Sequence, residues 1–272
     1  ILHIAVDIAR RGGELENRCI AQVISRPDAL HLIAAIGFHG VHALDAGRNH
    51  AVALCQPVHV VDVGVALDGG IAVGIGKACA VALAKRGYDV AVNYVSNEAA
   101  AQSVVQELEG FGVRALAVQA DTSDLPSVKN MFRTVVKELG GVDVLVNNAG
   151  VVDDRFLLML TEESLTRSLD INIKGYFHCA QQAALKMMRK KSGVIVNISS
   201  VSSIMAIPGQ SVYSATKGAV NALTATLAKE LAPYGIRVNA VAPGFVETEM
   251  LDHIPAEQTV SYTHLTLPTK RI

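Results

Sequence analysis

Two ionisable side chains that could transfer a proton, Tyr213 and Lys217, lie four residues apart in the sequence. This spacing places both side chains on one face of a helix, one turn apart. Because an ammonium group favours a neighbouring phenolate, Lys217 is expected to lower the pKa of Tyr213. Ser200 follows the apolar run 194–198 and could hydrogen-bond the same substrate oxygen. These residues predict a general-acid site, and the alternative is an ordinary pair on a helix surface.

The elements that must position these side chains follow an alternating order. From residue 65 onward, short runs of Val, Ile and Leu alternate with longer amphipathic segments. Such runs are typical of parallel strands that are covered on both faces. We therefore predict an α/β fold with a doubly wound, Rossmann-like parallel sheet. Its predicted strands are 65–67, 89–94, 113–120, 142–147, 194–198 and 236–242.

A glycine-rich turn follows the first predicted strand and precedes the first helix. Gly70, Gly74 and Gly76 are spaced Gly-x-x-x-Gly-x-Gly, with Ile75 between the last two. Glycines at such a turn allow a pyrophosphate group to approach the amides at a helix N-terminus. The strand–turn–helix context favours a dinucleotide site over an ordinary loop.

These motifs and several others occur together, in the order in which they occur in the short-chain dehydrogenase/reductase family. The chain resembles this family from about Val65 to Gln258. The resemblance is strongest to the branch that reduces 3-oxoacyl groups linked to acyl carrier protein. A hydroxysteroid, sugar or acetoacetyl-CoA reductase, or an inactive chimeric chain, is the alternative. The additional motifs are Asp121, Asn147-Asn148-Ala149-Gly150, Asn172, Ser200, Tyr213-x-x-x-Lys217 and Pro243-Gly244.

The resemblance implies that Tyr213 protonates the carbonyl oxygen, Ser200 orients it, Lys217 tunes Tyr213 and binds ribose, and Asn172 holds a water in the proton relay. Asp121 could instead be a turn or capping residue. The implied cofactor-binding residues are Gly70, Gly74, Ile75, Gly76, Asn93, Asp121, Asn148, Ala149, Gly150, Tyr213, Lys217, Pro243, Gly244, Val246 and Thr248.

The expected cofactor is NADP(H). Asn93 and Tyr94 end the second long strand, where an NAD enzyme would offer an acidic residue to the adenosine ribose. The absence of an acid there removes a repulsion from the 2′-phosphate. By the resemblance, Gly69 stands where the family usually has Thr, Ala72 where it has a polar or basic residue, and Val73 where an arginine would bind this phosphate. These three departures predict weaker binding than in an intact relative.

Composition excludes several other functions. The chain has 272 residues, a net charge of −1 and 50% hydrophobic residues, and such a balance does not favour nucleic-acid or membrane-surface binding. Its Cys residues, at positions 19, 55, 79 and 179, have no metal-site spacing. We therefore expect no metal, no disulfide framework, no membrane span and a cytoplasmic location.

The two ends differ from the middle of the chain. Residues 1–63 are rich in histidine and are expected to be a foreign or mis-framed segment without a metal site. Residues 64–259 are expected to form the reductase domain, truncated before its last strand, and residues 260–272 to be an adapter-like tail. Intact relatives are expected to be homotetramers, but the sequence does not predict the oligomeric state of this chain.

Overall fold

The computed structural model describes residues 2–11, 14–23, 59–65 and 74–244. Outside these ranges lie three predicted site residues, Gly70, Val246 and Thr248. The terminal segment 260–272 and positions 69, 72 and 73, which depart from the family pattern, also lie outside them. In chain order the strands are β1 (Leu2–Arg11), β2 (Glu14–Val23), β3 (His59–Val65), β4 (Asp89–Tyr94), β5 (Ala115–Gln119), β6 (Val144–Asn147), β7 (Gly193–Ile198) and β8 (Ile236–Val241).

Six α-helices alternate with these strands in the described ranges. They are α1 (Ile75–Ala84), α2 (Glu98–Glu109), α3 (Leu125–Leu139), α4 (Glu162–Leu169), α5 (Gly175–Lys190) and α6 (Ser211–Leu231). A π-helical turn, Asp170–Lys174, joins α4 to α5. Short 3₁₀ turns cover Leu157–Met159, Val201–Ser203 and Ala232–Tyr234. No helix of the described ranges is long and apolar enough to cross a membrane.

The main sheet has six parallel strands in the order β5-β4-β3-β6-β7-β8. The chain moves outward from β3 to β5, then returns to the other side of β3 with β6. This reversal confirms the predicted doubly wound sheet and places a topological switch point between β3 and β6. The strands β1 and β2 form a separate antiparallel pair.

The first strand of the main sheet lies earlier than the sequence predicts. The sequence places it at 65–67, whereas the structure has it at His59–Val65. Val60 pairs with Val90 on one side and with Val144 on the other. The four valines of 59–65 favour a strand, and pairing with β4 and β6 on both sides outweighs Asp62 and Gly64, which disfavour one. The predicted domain boundary at residue 63 therefore lies inside a strand.

Alternation along the strands builds a core on each face of the sheet. Val90 and Val92 of β4 pack with helices α1 and α2, whereas Ala91 between them packs with the residues of α3 and α5. In β6 and β7, Leu145 and Ile195 likewise face the α3–α5 side and are fully buried. Burying a valine, leucine or isoleucine side chain contributes about 1.5–3 kcal/mol, so both helical layers are held by this pattern.

A buried polar ladder ties α6 to the sheet. Asn147 Nδ2 donates to Asn197 Oδ1 at 2.9 Å, and Asn197 Nδ2 donates to Thr224 Oγ1 at 2.9 Å. Thr224 Oγ1 in turn donates to the carbonyl of Val220 at 2.7 Å. Buried polar groups are costly unless they are paired, so the ladder favours one position of α6 on β6 and β7.

We expect Asn197→Ala to lower the free energy of unfolding by about 2 kcal/mol. It removes the 2.9 Å acceptor of Asn147 Nδ2, which then keeps only the longer bond to the Tyr176 carbonyl at 3.4 Å. Urea denaturation would measure the loss. Asn130→Ala, at an exposed position of α3, is the matched control and should change stability by less than about 0.5 kcal/mol. Equal stability of the two variants would show that the ladder does not hold α6.

Candidate active site

Helix α6 carries Tyr213 and Lys217 on one face, as the spacing predicts. The helix follows Gly209, whose φ of 88° lies in the left-handed region that favours glycine. Lys217 is only 3% exposed, and its Nζ lies 5.7 Å from the centre of the Tyr213 ring. Lys217 is therefore inside the protein and Tyr213 is half-buried beside it, so the two are not an ordinary pair on a helix surface.

The ammonium group of Lys217 is held at the end of β7. Its Nζ donates to the carbonyl of Ile198 at 2.7 Å and to the hydroxyl of Tyr176 at 3.2 Å. Burial lowers the pKa of Lys217 to about 7, because a charged amine is poorly solvated there. Within residues 74–244, Lys217 pairs with no carboxylate. One of its three hydrogens has no hydrogen-bond acceptor among these residues.

The pKa of Tyr213 differs in direction from the sequence-based expectation. Burial raises it above the ordinary value, a hydrogen bond with Ser200 opposes this rise, and the charge of Asp154 adds to it. Lys217 does not reverse the shift, because its ammonium lies alongside the phenol ring and donates to Ile198 and Tyr176 instead. Tyr213 is therefore protonated at neutral pH in this state.

Ser200 begins a polar chain that leads out of the site. It caps the 3₁₀ turn after β7 by accepting from the Ser202 amide at 3.1 Å, and its hydroxyl lies 3.2 Å from Ser202 Oγ. Ser202 Oγ donates to Gln210 Oε1 at 2.8 Å, and Gln210 Nε2 donates to Asp154 Oδ2 at 3.0 Å. This series of hydrogen bonds fixes the loop that places Ser200 beside Tyr213.

Asn172 lies in the π-helical turn and is fully buried. Its Oδ1 accepts from the Val151 amide at 2.8 Å, and its Nδ2 donates to the Val151 carbonyl at 2.9 Å and to Thr216 Oγ1 at 3.2 Å. A methyl group built on Gly150 would lie 3.4 Å from Asn172 Oδ1 and 3.5 Å from Lys217 Nζ. The turn after β6, the π-helical turn and α6 therefore meet around Lys217.

The predicted cofactor-binding residues that the structure describes lie at the carboxyl edge of the sheet. Gly74, Ile75 and Gly76 form the N-terminus of α1. Asn148, Ala149 and Gly150 follow β6, and Pro243 and Gly244 follow β8. The Pro243 carbonyl accepts from the Val201 amide at 3.0 Å, which brings this segment to the Ser200 loop.

Asn93 and Asp121 also lie at this edge, and both make contacts within the protein. Asn93 is buried, and its Nδ2 donates to the carbonyls of Tyr94, Val118 and Ala120, so it holds the end of β4 against the end of β5. Asp121 Oδ1 accepts from the amide and hydroxyl of Ser123 at 2.8 and 2.7 Å, which forms a turn ahead of α3. These contacts match the alternative that Asp121 is a turn residue. Its Oδ2 remains able to accept from another partner.

This arrangement fits a dinucleotide. The switch point, the N-terminus of α1 and the ends of β4 and β6 adjoin in the sheet, and such an edge binds nucleotides in doubly wound folds. Lys217 offers a buried hydrogen-bond donor on the same side. Within the described ranges, no three or more His, Cys, Asp or Glu residues form a group that could hold a metal ion.

Comparison with protein families decides between the classes of enzyme that use such an edge. The family model described as short chain dehydrogenase matches residues 65–259. The chain belongs to the short-chain dehydrogenase family. It is therefore an oxidoreductase of the class that uses a nicotinamide cofactor.

Several curated relatives within this family are named 3-oxoacyl-[acyl-carrier-protein] reductases, and one at 46% identity is an uncharacterized oxidoreductase of Methylorubrum extorquens. The 3-oxoacyl-[acyl-carrier-protein] reductase FabG of Staphylococcus aureus (strain Mu50) is 45% identical over 192 residues, which cover 71% of this chain and 78% of the relative. The 3-oxoacyl-[acyl-carrier-protein] reductase of Synechocystis sp. is 43% identical over 201 residues, which cover 74% of this chain and 81% of the relative.

Solved structures of short-chain dehydrogenases share the fold. Acetoin dehydrogenase YohF from Salmonella typhimurium superposes with a TM-score of 0.64 at 35% identity, covering 74% of this chain and 77% of the other. NAD⁺-bound xylitol dehydrogenase superposes with a TM-score of 0.66 at 30% identity, covering 76% and 75%.

Sequence reasoning missed several residues of this short-chain dehydrogenase site. Tyr176 lies four residues after Asn172, so the helical spacing used for Tyr213 and Lys217 could have found it. Thr216, which accepts from Asn172 and donates to the Tyr213 carbonyl at 2.7 Å, is adjacent to Lys217 in sequence. Gln210, Ser202 and Asp154 carried no comparable signal, because their contacts form only when separate loops meet.

Burial of Lys217 predicts a pH-dependent stability. Because its pKa is about 7 in the folded chain and 10.5 ordinarily, the unfolded chain binds more protons between these values. The contribution of Lys217 to the free energy of unfolding therefore rises with pH, by about 1 kcal/mol per pH unit. The difference between parent and Lys217→Met, measured by urea denaturation from pH 6.5 to 9.5, should show this rise.

The exposed Lys129→Met variant is the matched control, and its difference from the parent should stay flat over this range. A flat difference for Lys217→Met as well would contradict the burial of an ammonium group whose lost hydration is only partly compensated.

Proposed function

We propose that the chain carries out the NADPH-dependent reduction of a 3-oxoacyl thioester, linked to acyl carrier protein, to the 3-hydroxyacyl form in fatty acid biosynthesis in the cytoplasm. The observation that carries the proposal is the convergence of Ser200, Tyr213 and Lys217 around the end of β7, with Asn172 behind them. The two 3-oxoacyl-[acyl-carrier-protein] reductases at 45% and 43% identity support the substrate class.

In this proposal Tyr213 is the proton donor. Its pKa is raised by burial, so the phenol keeps its proton at neutral pH until an oxyanion develops beside it. A positioned acid of this kind contributes about 10²–10⁴-fold to the rate. Ser200 is near enough to Tyr213 to oppose the rise of its pKa, so both hydroxyls can be directed at one carbonyl oxygen. The Ser202–Gln210–Asp154 chain holds Ser200 for this role.

Lys217 and Asn172 stabilise and position the proton donor Tyr213. The available hydrogen of Lys217 can donate to a ribose hydroxyl, and its positive charge stabilises negative charge that develops on Tyr213. Asn172 fixes Thr216, whose hydroxyl binds the Tyr213 carbonyl, so both ends of this helical turn are held. When bound, the nicotinamide supplies the hydride that reduces the carbonyl carbon.

The residues at the carboxyl edge would hold the cofactor. The first amides of α1, at Ile75 and Gly76, would bind its pyrophosphate, and Asp121 and the turn 148–150 would line its adenosine. At the end of β4, Asn93 donates to three carbonyls and presents no negative charge. This neutral end supports NADPH, whose 2′-phosphate an acidic residue would repel.

The main experiment is Tyr213→Phe, which removes one hydroxyl and keeps the ring. Turnover of a 3-oxoacyl thioester with NADPH should fall about 10²–10⁴-fold, while the dissociation constant for NADPH stays within about twofold. Tyr234→Phe, at a position that is 41% exposed, is the matched control and should keep full activity. If Tyr213→Phe retains most of the activity, the proton donor lies elsewhere.

A polyol, assayed as an alcohol that NADP⁺ oxidises, and a hydroxyketone, assayed as a carbonyl that NADPH reduces, test the substrate class; the two solved relatives are named for such compounds. Faster turnover of either compound than of the thioester would replace the proposed substrate.

Cofactor choice is tested at Val73, where the family resemblance expects an arginine. Val73→Arg should tighten NADPH at least tenfold more than NADH, because a guanidinium can pair with the 2′-phosphate. Val73→Gln is the uncharged control, and nucleotide fluorescence titration is the measurement. Equal gains for both nucleotides would show that residue 73 does not face the 2′-phosphate.

A further inference from the structure

Tyr176 brings a second phenol to Lys217. It lies in the first turn of α5 and is 1% exposed. Its hydroxyl donates to the Ile198 carbonyl at 2.9 Å and accepts from Lys217 Nζ at 3.2 Å, while Lys217 donates to the same carbonyl at 2.7 Å. The three polar atoms therefore form a closed triangle at the end of β7.

The triangle has a fixed polarity. Since the Tyr176 proton points to Ile198, an oxygen lone pair of the phenol faces the ammonium group. Burial raises the pKa of Tyr176 well above its ordinary value, so this hydroxyl remains neutral and remains an acceptor. Lys217 Nζ also lies 5.1 Å from the centre of the Tyr176 ring, within cation–π range. Each contact stabilises the charged form of Lys217.

The ring of Tyr176 serves packing, whereas its hydroxyl serves hydrogen bonding. The ring packs with Val220 and Leu223 of α6, a contact that phenylalanine would keep. The hydroxyl adds no packing of comparable size, and the Ile198 carbonyl already has Lys217 as a donor. What the hydroxyl supplies uniquely is an acceptor for Lys217.

We propose that Tyr176 is a positioning residue that keeps Lys217 charged and fixes its Nζ between Ile198 and the Tyr213 ring. For activity this rests on the proposed function, in which Lys217 acts as an ammonium. Without the hydroxyl, the buried ammonium loses one of its two hydrogen-bond acceptors in the described ranges, and the neutral amine becomes easier to form.

The other groups near Lys217 do not mask the effect of the Tyr176 hydroxyl on its pKa. Tyr213 faces Lys217 from α6, and β7 offers the Ile198 carbonyl. Neutral Asn172 approaches from the π-helical turn, and the Gly150 backbone approaches from the turn after β6. Cys179 also acts on Tyr176, and burial raises the pKa of its thiol, so it stays neutral. Asp154 acts on Tyr213. Within residues 74–244 none of these groups is a carboxylate paired with Lys217.

The test is Tyr176→Phe, with Tyr88→Phe as a control that removes a phenol hydroxyl just before β4, at the opposite edge of the sheet. The descending alkaline limb of kcat against pH should move down by about one to two pH units. At pH values below this limb the variant should approach the parent's kcat. A purely structural defect would instead lower kcat equally at every pH.

A cofactor-free readout makes the result independent of the proposed function. In the Tyr176→Phe background, the stability difference between Lys217 and Lys217→Met should begin to rise at a pH about one to two units below 7. If this onset stays near pH 7, the proposal is overturned even when no thioester is reduced. If the onset moves but no form of the chain reduces the thioester, Tyr176 holds Lys217 and the proposed reaction is wrong.

Discussion

The buried ammonium group of Lys217 is the constraint on which the site depends. A charge removed from water must be solvated by the protein, and here the Ile198 carbonyl, the Tyr176 hydroxyl and two aromatic rings supply that solvation. The compensation is incomplete, since the pKa of Lys217 falls to about 7. Lys217 is thus placed at a stability cost that the surrounding fold must offset, as is common at functional sites.

The rest of the architecture serves this placement. The Asn147–Asn197–Thr224 ladder fixes α6 on the sheet, so the helix that carries Lys217 has one position. The π-helical turn directs Asn172 at Val151 and Thr216, which joins the turn after β6 to the same helix. The carboxyl ends of the parallel strands bring the predicted cofactor-binding residues to this edge.

Much of the fold and the pairing of Tyr213 with Lys217 could be predicted from local patterns, because β-branched runs and helical spacing act over a few residues. The first strand could not, since His59–Val65 is selected by its pairing with β4 and β6. The direction of the Tyr213 pKa shift also failed, because it depends on burial. Tyr176 meets Lys217 across 41 residues of sequence, a contact that only the packing of α5 on α6 creates.

The most direct measurement is the titration of Lys217 itself, by NMR of the cofactor-free chain with ¹³C-labelled lysine side chains. Lys217→Met identifies the resonance by its disappearance. The account predicts a midpoint near pH 7 for this lysine, well below the ordinary lysine value of 10.5. A Lys217 resonance that titrates near the ordinary value of 10.5 would contradict the buried ammonium, and with it the arrangement proposed around Tyr213 and Tyr176.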